Sequence, residues 1–389
     1  MSRVLVAMSG GVDSSVAAVL LHEQGHEVVG VTMKTWDYET SLGPDATMSR
    51  TASGCCSLDD LNDARAIAVR LGAPHFIVDL REEFGTGVTD RFAADYLLGR
   101  TPNPCVLCNT HIKWGSLARR ARALDCDAIA TGHYARIEAT ASGRWAVRRG
   151  VDRAKDQSYV LWGVAQEHLA QTLLPLGGLT KPEIRRMASE MGLHAVAGKK
   201  DSYEICFVPD DDYRGYLRRR VPGLEARVAG GPFVWEATGE TVGTHDGYPF
   251  YTVGQRRGLG LSLGAPAYVT RVDPATNTVY VGGKEALAGR AVVADEVVWG
   301  GVDGLSAETP VVAQVRAHDP GAPALARQTG PDSMEAVFET PRTAPAPGQA
   351  LVLYQEDTVV AGGWIAAAET AAHPLPRADD DFVPLPTLS

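Results

Sequence analysis

Ser9-Gly10-Gly11-Val12-Asp13-Ser14-Ser15 lies between the apolar run Val4-Leu5-Val6-Ala7-Met8 and a stretch with helical apolar spacing at Val16, Val19 and Leu20. A strand, a glycine turn and a helix in that order aim backbone N–H groups and the positive helix end at an anion. Glycine lets that backbone approach the ligand closely. The common P-loop would place a lysine after its last glycine, and none occurs here. The hydroxyls of Ser9, Ser14 and Ser15 supply further donors, and Asp13 is the residue expected to hold a Mg²⁺ bridging pyrophosphate oxygens. A lone Gly-Gly pair is more often a plain turn, but seven suitable positions between strand and helix favour a nucleotide.

Thiols are the second chemical resource. Thr101-Pro102-Asn103-Pro104-Cys105-Val106-Leu107-Cys108-Asn109 has alternating prolines, which predict a stiff extended loop presenting Cys105 and Cys108. Cys206 follows Lys199 and Lys200, cations able to lower its pKa, as a nucleophile requires. A single Cys-x-x-Cys can be half of a zinc site, but no second pair exists to close one. Cys55, Cys56 and Cys126 read as structural or incidental. Six cysteines in 389 residues are too few for a disulfide scaffold, so grouped ones suggest chemistry or metal binding.

The elements that must position these groups alternate between strand and helix. Apolar runs at 28–33, 75–79 and 128–131 alternate with helical stretches at 58–71 and 114–124, which implies parallel strands with right-handed crossovers. Residues 1–210 therefore read as one α/β domain with a doubly wound parallel sheet. Residues 41–54, rich in Gly, Pro, Ser and Thr, read as a lid-like loop. Residues 211–270 read as a small connecting domain, opening with an Arg-rich helix. Residues 271–369 read as a C-terminal β-barrel, with strands flanking the turn at Asp273-Pro274-Ala275-Thr276-Asn277. Residues 370–389, rich in Pro and Asp, read as a disordered tail.

Composition limits the function classes. An apolar fraction of 45% with 22% charged residues is ordinary for a globular protein, and the length favours two or three cores. No apolar run approaches the roughly 20 residues that span a bilayer, so no membrane partner and a cytoplasmic location are expected. A net charge of −10 argues against unspecific nucleic-acid binding but leaves room for a local basic path. Candidates for that path are Arg119, Arg120 and Arg122, Lys199 and Lys200, Arg214, Arg218, Arg219 and Arg220, and Arg256 and Arg257.

The glycine turn resembles the signature of the ATP pyrophosphatase (PP-loop) superfamily, which splits ATP between its α and β phosphates. Five further segments extend the likeness: 103–109, Thr131-Gly132-His133-Tyr134-Ala135, Lys155-Asp156-Gln157-Ser158-Tyr159, Ile205-Cys206-Phe207 and Gly254-Gln255-Arg256-Arg257-Gly258-Leu259-Gly260. In this order the chain closely resembles the bacterial tRNA-specific 2-thiouridylases over roughly residues 3–365. The resemblance implies ATP-dependent thiolation at C2 of the wobble uridine of tRNA, with ATP, Mg²⁺ and a donor protein, a sulfur-relay carrier or a cysteine desulfurase. By position it implies Cys108 as nucleophile, Cys206 as persulfide carrier and Asp13 as a catalytic group. It assigns ATP contacts to Ala7, Met8, Ser9, Gly10, Gly11, Val12, Asp13, Ser14, Met33 and Gly132. Asn103, Pro104 and Cys105 match the segment meeting the target base, and His133, Lys155, Asp156, Gln157, Arg316, Ala317 and Gln349 match tRNA contacts. Arg316-Ala317 departs from the basic-aromatic pair usual there.

The chemistry implied is adenylation of the uridine C2 oxygen with release of pyrophosphate, then sulfur attack at C2 with release of AMP. In the thiol version Cys206 carries a persulfide, and Cys108 frees its sulfur or resolves it by forming a disulfide. One well-known form of the family has aspartate at the position of Cys105. With cysteine there, Cys105, Cys108 and Cys206 are a set able to ligate a 4Fe–4S cluster, as proposed for some members, and this alternative stands beside the thiol version. Competing readings are a PP-loop ligase that forms amides and a non-catalytic RNA-binding or thiol-redox module.

Overall fold

A computed structural model describes residues 1–37, 58–199 and 205–370. The lid expected at 41–54, Cys55, Cys56, Lys200 and the tail beyond Thr370 lie outside the described residues. Strands β1 (Arg3–Ala7), β2 (Glu27–Lys34), β3 (His75–Asp79), β4 (Ala128–Ala130) and β7 (Thr172–Leu173) form a parallel sheet in the order β3-β2-β1-β4-β7. Val4, Leu5 and Val6 are completely buried, as a central strand covered by helices on both faces requires. Each such side chain contributes roughly 1.5–3 kcal/mol of burial. Helices α1 (Val12–Glu23) and α2 (Leu58–Arg70) follow β1 and β2. Chain order reverses between β1 and β4, the switch point at which doubly wound sheets bind ligands beyond their strand C-termini.

The thiol segment is helical from Pro104 onward, where an extended loop is expected. A continuous helical run comprises Pro104–Leu107, a wider π-helix over Cys108–Leu117, and α4 (Ala118–Ala123), with α3 (Asp90–Leu97) preceding it. Pro104 occupies the first turn, where its missing N–H costs nothing and its fixed φ suits a helix start. Two further helices, α5 (Lys181–Glu190) and α6 (Tyr213–Arg220), carry the chain onward.

Strands β8 (Gly231–Trp235), β9 (Glu240–His245), β10 (Tyr268–Asp273) and β11 (Thr278–Gly282) make a four-stranded sheet in the order β10-β11-β8-β9. The hairpin around Asp273 to Asn277 thus belongs to this middle sheet, not to the barrel expected from 271 onward. Alternating apolar residues announce a strand, but the parallel pairing of Val279 with Phe233 and Val281 with Trp235 decides its sheet. Six strands, β12 (Ala288–Trp299), β13 (Thr309–Gln314), β14 (Ala322–Gly330), β15 (Ser333–Thr343), β16 (Ala350–Gln355) and β17 (Thr358–Ala368), form the C-terminal barrel, closed by β12 pairing with β17. The hairpin β5 (Ala135–Ala139) and β6 (Trp145–Arg149) from the first domain adds to its outside through Thr358 and Arg148.

Candidate active site

At the switch point, Gly10 has φ +72° and Gly11 is extended at the N-cap of α1. Among the described residues no protein acceptor takes the amide hydrogens of Gly10, Gly11, Val12, Asp13 or Ser14. Five successive donors at a helix N-terminus constitute an anion cradle. Ser14 Oγ accepts from Ser9 N at 3.1 Å and lies 3.2 Å from Ser9 Oγ, bracing the turn, and Ser15 Oγ donates to Gly11 O at 2.9 Å. Met8 is buried with its carbonyl bound by Thr32, and Met33 is partly buried on the neighbouring strand. Gly132, just past β4, lies so close that a Cβ there would stand 2.9 Å from Ser14 N and Asp13 C. Ala7 to Ser14 and Gly132 are therefore adjacent in space, on the cradle.

Lys181, absent from the sequence-based site, completes it. Its Nζ lies 2.9 and 2.8 Å from the two Asp13 carboxylate oxygens, and the Tyr134 hydroxyl donates to Oδ1 at 2.6 Å. Thr180 and Glu183 form a capping box that fixes the first turn of α5 and so the direction of Lys181. A lysine in the first turn opposes the helix dipole, and that mismatch is a sequence signal that could have flagged it. With Asp13 already ion-paired, a Mg²⁺ at its carboxylate would have to displace a cation, so the donor set does not fit a dedicated metal site.

Tyr134 is itself held. Gln157 Oε1 accepts from Tyr134 N at 3.0 Å, and Gln157 N donates to Tyr134 O at 2.9 Å. Asp156 accepts from Gly150 N, Ser158 N and Ser158 Oγ and pairs with Arg149 at 3.1 Å. Arg149 in turn donates to Gln314, whose amide binds the carbonyls of exposed Arg316 and Ala317. Gln349 donates to the carbonyls of Thr101 and Pro102 at 3.2 and 3.1 Å, so a barrel turn holds the entry to the Cys105 helix. Lys155 is partly exposed beside Asp156. His133 is buried between Thr131 (2.6 Å) and Lys113 (3.2 Å). Burial first, and the Lys113 charge second, push its pKa well below the usual histidine value and keep it neutral.

Two of the thiol segments reach one core. Leu107 and Phe207, the residues beside Cys108 and Cys206, are both buried in a cluster with Phe84, Phe92 and Tyr216, and Cys108 and Cys206 pack on its margin. Phe207 makes edge contacts with Phe84 and Phe92 at 5.6 and 5.1 Å. Cys105 is exposed, and desolvation by the surrounding protein raises its thiol pKa against the pull of Lys113. Asn103 and Pro104 are buried beside it. Among the described residues no three His, Cys, Asp or Glu side chains gather closely enough to hold a metal ion. Cys105, Cys108 and Cys206 therefore do not form a cluster-ligating set in this arrangement.

Several candidate cations are already engaged. Lys199 binds Asp60 and Asp63, each at 2.6 Å, and is not free to act on Cys206. Arg218 pairs with Glu225, Arg219 with Asp210 and Arg220 with Asp90, while Arg214 lies over Tyr251. Arg120 pairs with Glu83 and Arg119 binds Ser116. Arg122 is exposed. Arg256 and Arg257 are exposed, and neither pairs with a carboxylate among the described residues. Among the described residues no helix is long and apolar enough to cross a membrane.

A glycine turn with five available amides, set at the switch point of a doubly wound sheet, defines an anion-binding α/β domain of nucleotide-site type. Residues 2–210 match the family described as "tRNA methyl transferase HUP domain", 224–283 its "PRC-barrel domain", and 290–365 the "Aminomethyltransferase beta-barrel domain". Proteins named "tRNA-specific 2-thiouridylase MnmA" are 57% identical in Salinibacter ruber (93% of this chain, 94% of that protein) and 56% in Amoebophilus asiaticus (94% and 96%). The corresponding protein of Heliobacterium modesticaldum is 48% identical over 93% of this chain and 92% of its own. The chain belongs to the tRNA-specific 2-thiouridylase family.

Proposed function

We propose that this chain is an ATP-dependent tRNA-uridine 2-sulfurtransferase acting on the wobble uridine, position 34. The observation that carries this reading is the anion cradle at the sheet switch point together with two thiol segments packed on one core. The uridine C2 oxygen attacks the α-phosphorus of ATP and pyrophosphate leaves. Hydroxide-like oxygen is a poor leaving group at C2, whereas the adenylate departs as AMP.

Charge that develops on the departing pyrophosphate falls on the amides of Gly10 to Ser14, already oriented before the reaction. Lys181, held against Asp13, supplies the cation that the loop itself lacks. Magnesium carried in by ATP would add further charge on the phosphates. Cys206 receives a sulfane sulfur from a donor protein, and its terminal sulfur attacks C2. Attack of the Cys108 thiolate on the Cys206 sulfur then frees the thiocarbonyl and leaves a Cys108–Cys206 disulfide, which an external thiol reduces. Arg256 and Arg257 supply tRNA phosphate contacts from the middle domain.

Purified protein incubated with ATP, unmodified tRNA, a cysteine desulfurase and cysteine tests the reading. Nucleoside mass spectrometry should find 2-thiouridine at position 34, lost with Cys108→Ser and with Cys206→Ser. Pyrophosphate release driven by amino acids and not by tRNA would favour an amide-forming ligase instead.

A further inference from the structure

Lys113 is a half-buried cation whose partner is not an acid. Its Nζ lies 3.2 Å from His133 Nε2, and among the described residues it pairs with no carboxylate. An ammonium can only donate, so Nε2 accepts and the imidazole carries its proton on Nδ1, which donates to Thr131 Oγ1 at 2.6 Å. Thr131 and His133 thereby hold the lysine in place without compensating its charge, because a histidine kept neutral by burial contributes none. A partly desolvated charge with no protein counter-ion is costly unless an anion meets it.

The lysine stands between the two regions that the proposed reaction must join. On one side, His133 directly follows Gly132, where a Cβ would stand 2.9 Å from Ser14 N, one of the cradle amides. On the other, Lys113 lies further along the helical run that starts at Pro104, and its charge reaches the Cys105 thiol. The cradle takes the pyrophosphate, and the segment ending at Cys105 is the one matched to the target base. The atom that bonds first to one and then to the other is the α-phosphorus.

We propose that Lys113 is a further catalytic residue, the cation that contacts the α-phosphate of ATP and then of the adenylated uridine. This inference rests on the thiolation reading above. In the first step the O2–phosphorus bond forms as the bond to the bridging oxygen breaks. Pyrophosphate leaves with that electron pair, and the uridine N3 proton passes to water. The Lys113 ammonium stabilises the non-bridging α-oxygens during this exchange, while Lys181 serves the pyrophosphate. In the second step sulfur bonds to C2, the C2–O bond breaks, and its electron pair leaves on AMP, whose phosphate the same ammonium holds.

The test is single-turnover pyrophosphate release by the full-length protein with saturating tRNA, because that rate constant does not depend on how much enzyme is folded. Lys113→Met should lower it about 10²-fold, the usual cost of losing one preorganised electrostatic group. Lys113→Arg, which keeps the charge, should recover part of the loss. Affinity for tRNA and its salt dependence should stay as in wild type. The contact is located with the two diastereomers of ATP that carry sulfur in place of one non-bridging α-oxygen. Their rate ratio should change at least about threefold in Lys113→Met, the coupling expected of groups in contact. If Lys113→Met binds no ATP, Lys113→Arg carries the same comparison, since its longer fork also meets the α-oxygens differently. A rate within about twofold of wild type, an unchanged diastereomer ratio, or a loss explained by weaker tRNA binding with a shallower salt slope overturns the inference and leaves the thiolation reading intact. Wild-type protein that releases no pyrophosphate with tRNA overturns the thiolation reading and the inference with it.

Discussion

Lys181 and Asp13, separated by 168 positions in the chain, form a two-pronged ion pair at the N-terminus of the helix that follows the glycine turn. The side chain of Lys181 is only 9% exposed. Its charge is thus held in a site poorer in water than the surface, where it acts more strongly on a nearby phosphate.

Lys181→Met should lower tRNA-dependent pyrophosphate release by about 10²-fold, the usual cost of losing one preorganised electrostatic group. Lys181→Arg should recover part of that loss. Stopped-assay quantitation of pyrophosphate checks both, and a Met variant within twofold of wild type would remove Lys181 from the site.

Gly132→Ala places a methyl group against backbone atoms of Asp13 and Ser14, which cannot move aside as a flexible side chain would. ATP binding, measured by equilibrium titration, should weaken about tenfold, or roughly 1.4 kcal/mol. Affinity for tRNA should be unchanged, because the methyl faces the cradle.

Arg256→Ala should weaken tRNA binding and reduce the magnitude of the slope of log K against log salt by roughly 0.7–0.9, the contribution of one phosphate contact. Arg218→Ala removes an arginine already paired with Glu225 and should leave the slope in place. Binding measured at several salt concentrations separates the two.

Asp95, on α3, is buried, and desolvation lifts its pKa to about 6, with Arg91 and Arg100 pulling the other way. A carboxyl whose folded pKa lies above its unfolded value binds more protons in the folded state. Its contribution to stability is fully present below about pH 4 and is lost as pH rises through about 6. Asp95→Asn should therefore reduce the loss of stability between pH 4 and pH 7 by roughly 2–3 kcal/mol, read from urea midpoints at the two pH values.

The strand, turn and helix at residues 3–23 were legible in the sequence because their signals are local. Apolar runs, glycines and hydroxyls within a few positions of each other specify an anion cradle whatever packs around it. The motif order from Ser9 to Gly260 likewise carried the family resemblance. The helix at Pro104 was misread because proline marks an extended loop and a helix first turn equally well.

What the sequence settled by itself is that the apolar runs at 4–8, 28–33, 75–79 and 128–131 belong to strands of one parallel sheet, and that the glycine turn after the first of them can cradle an anion. The tertiary structure alone decided how the cations are used: Lys181 reaches Asp13, Lys199 grips Gly10, and Arg218 to Arg220 are spent on carboxylates, leaving Arg256 and Arg257 exposed. It also decided that the β10–β11 hairpin joins β8 and β9. Charge pairing and sheet membership depend on contacts between distant parts of the chain, and composition and periodicity describe only neighbours.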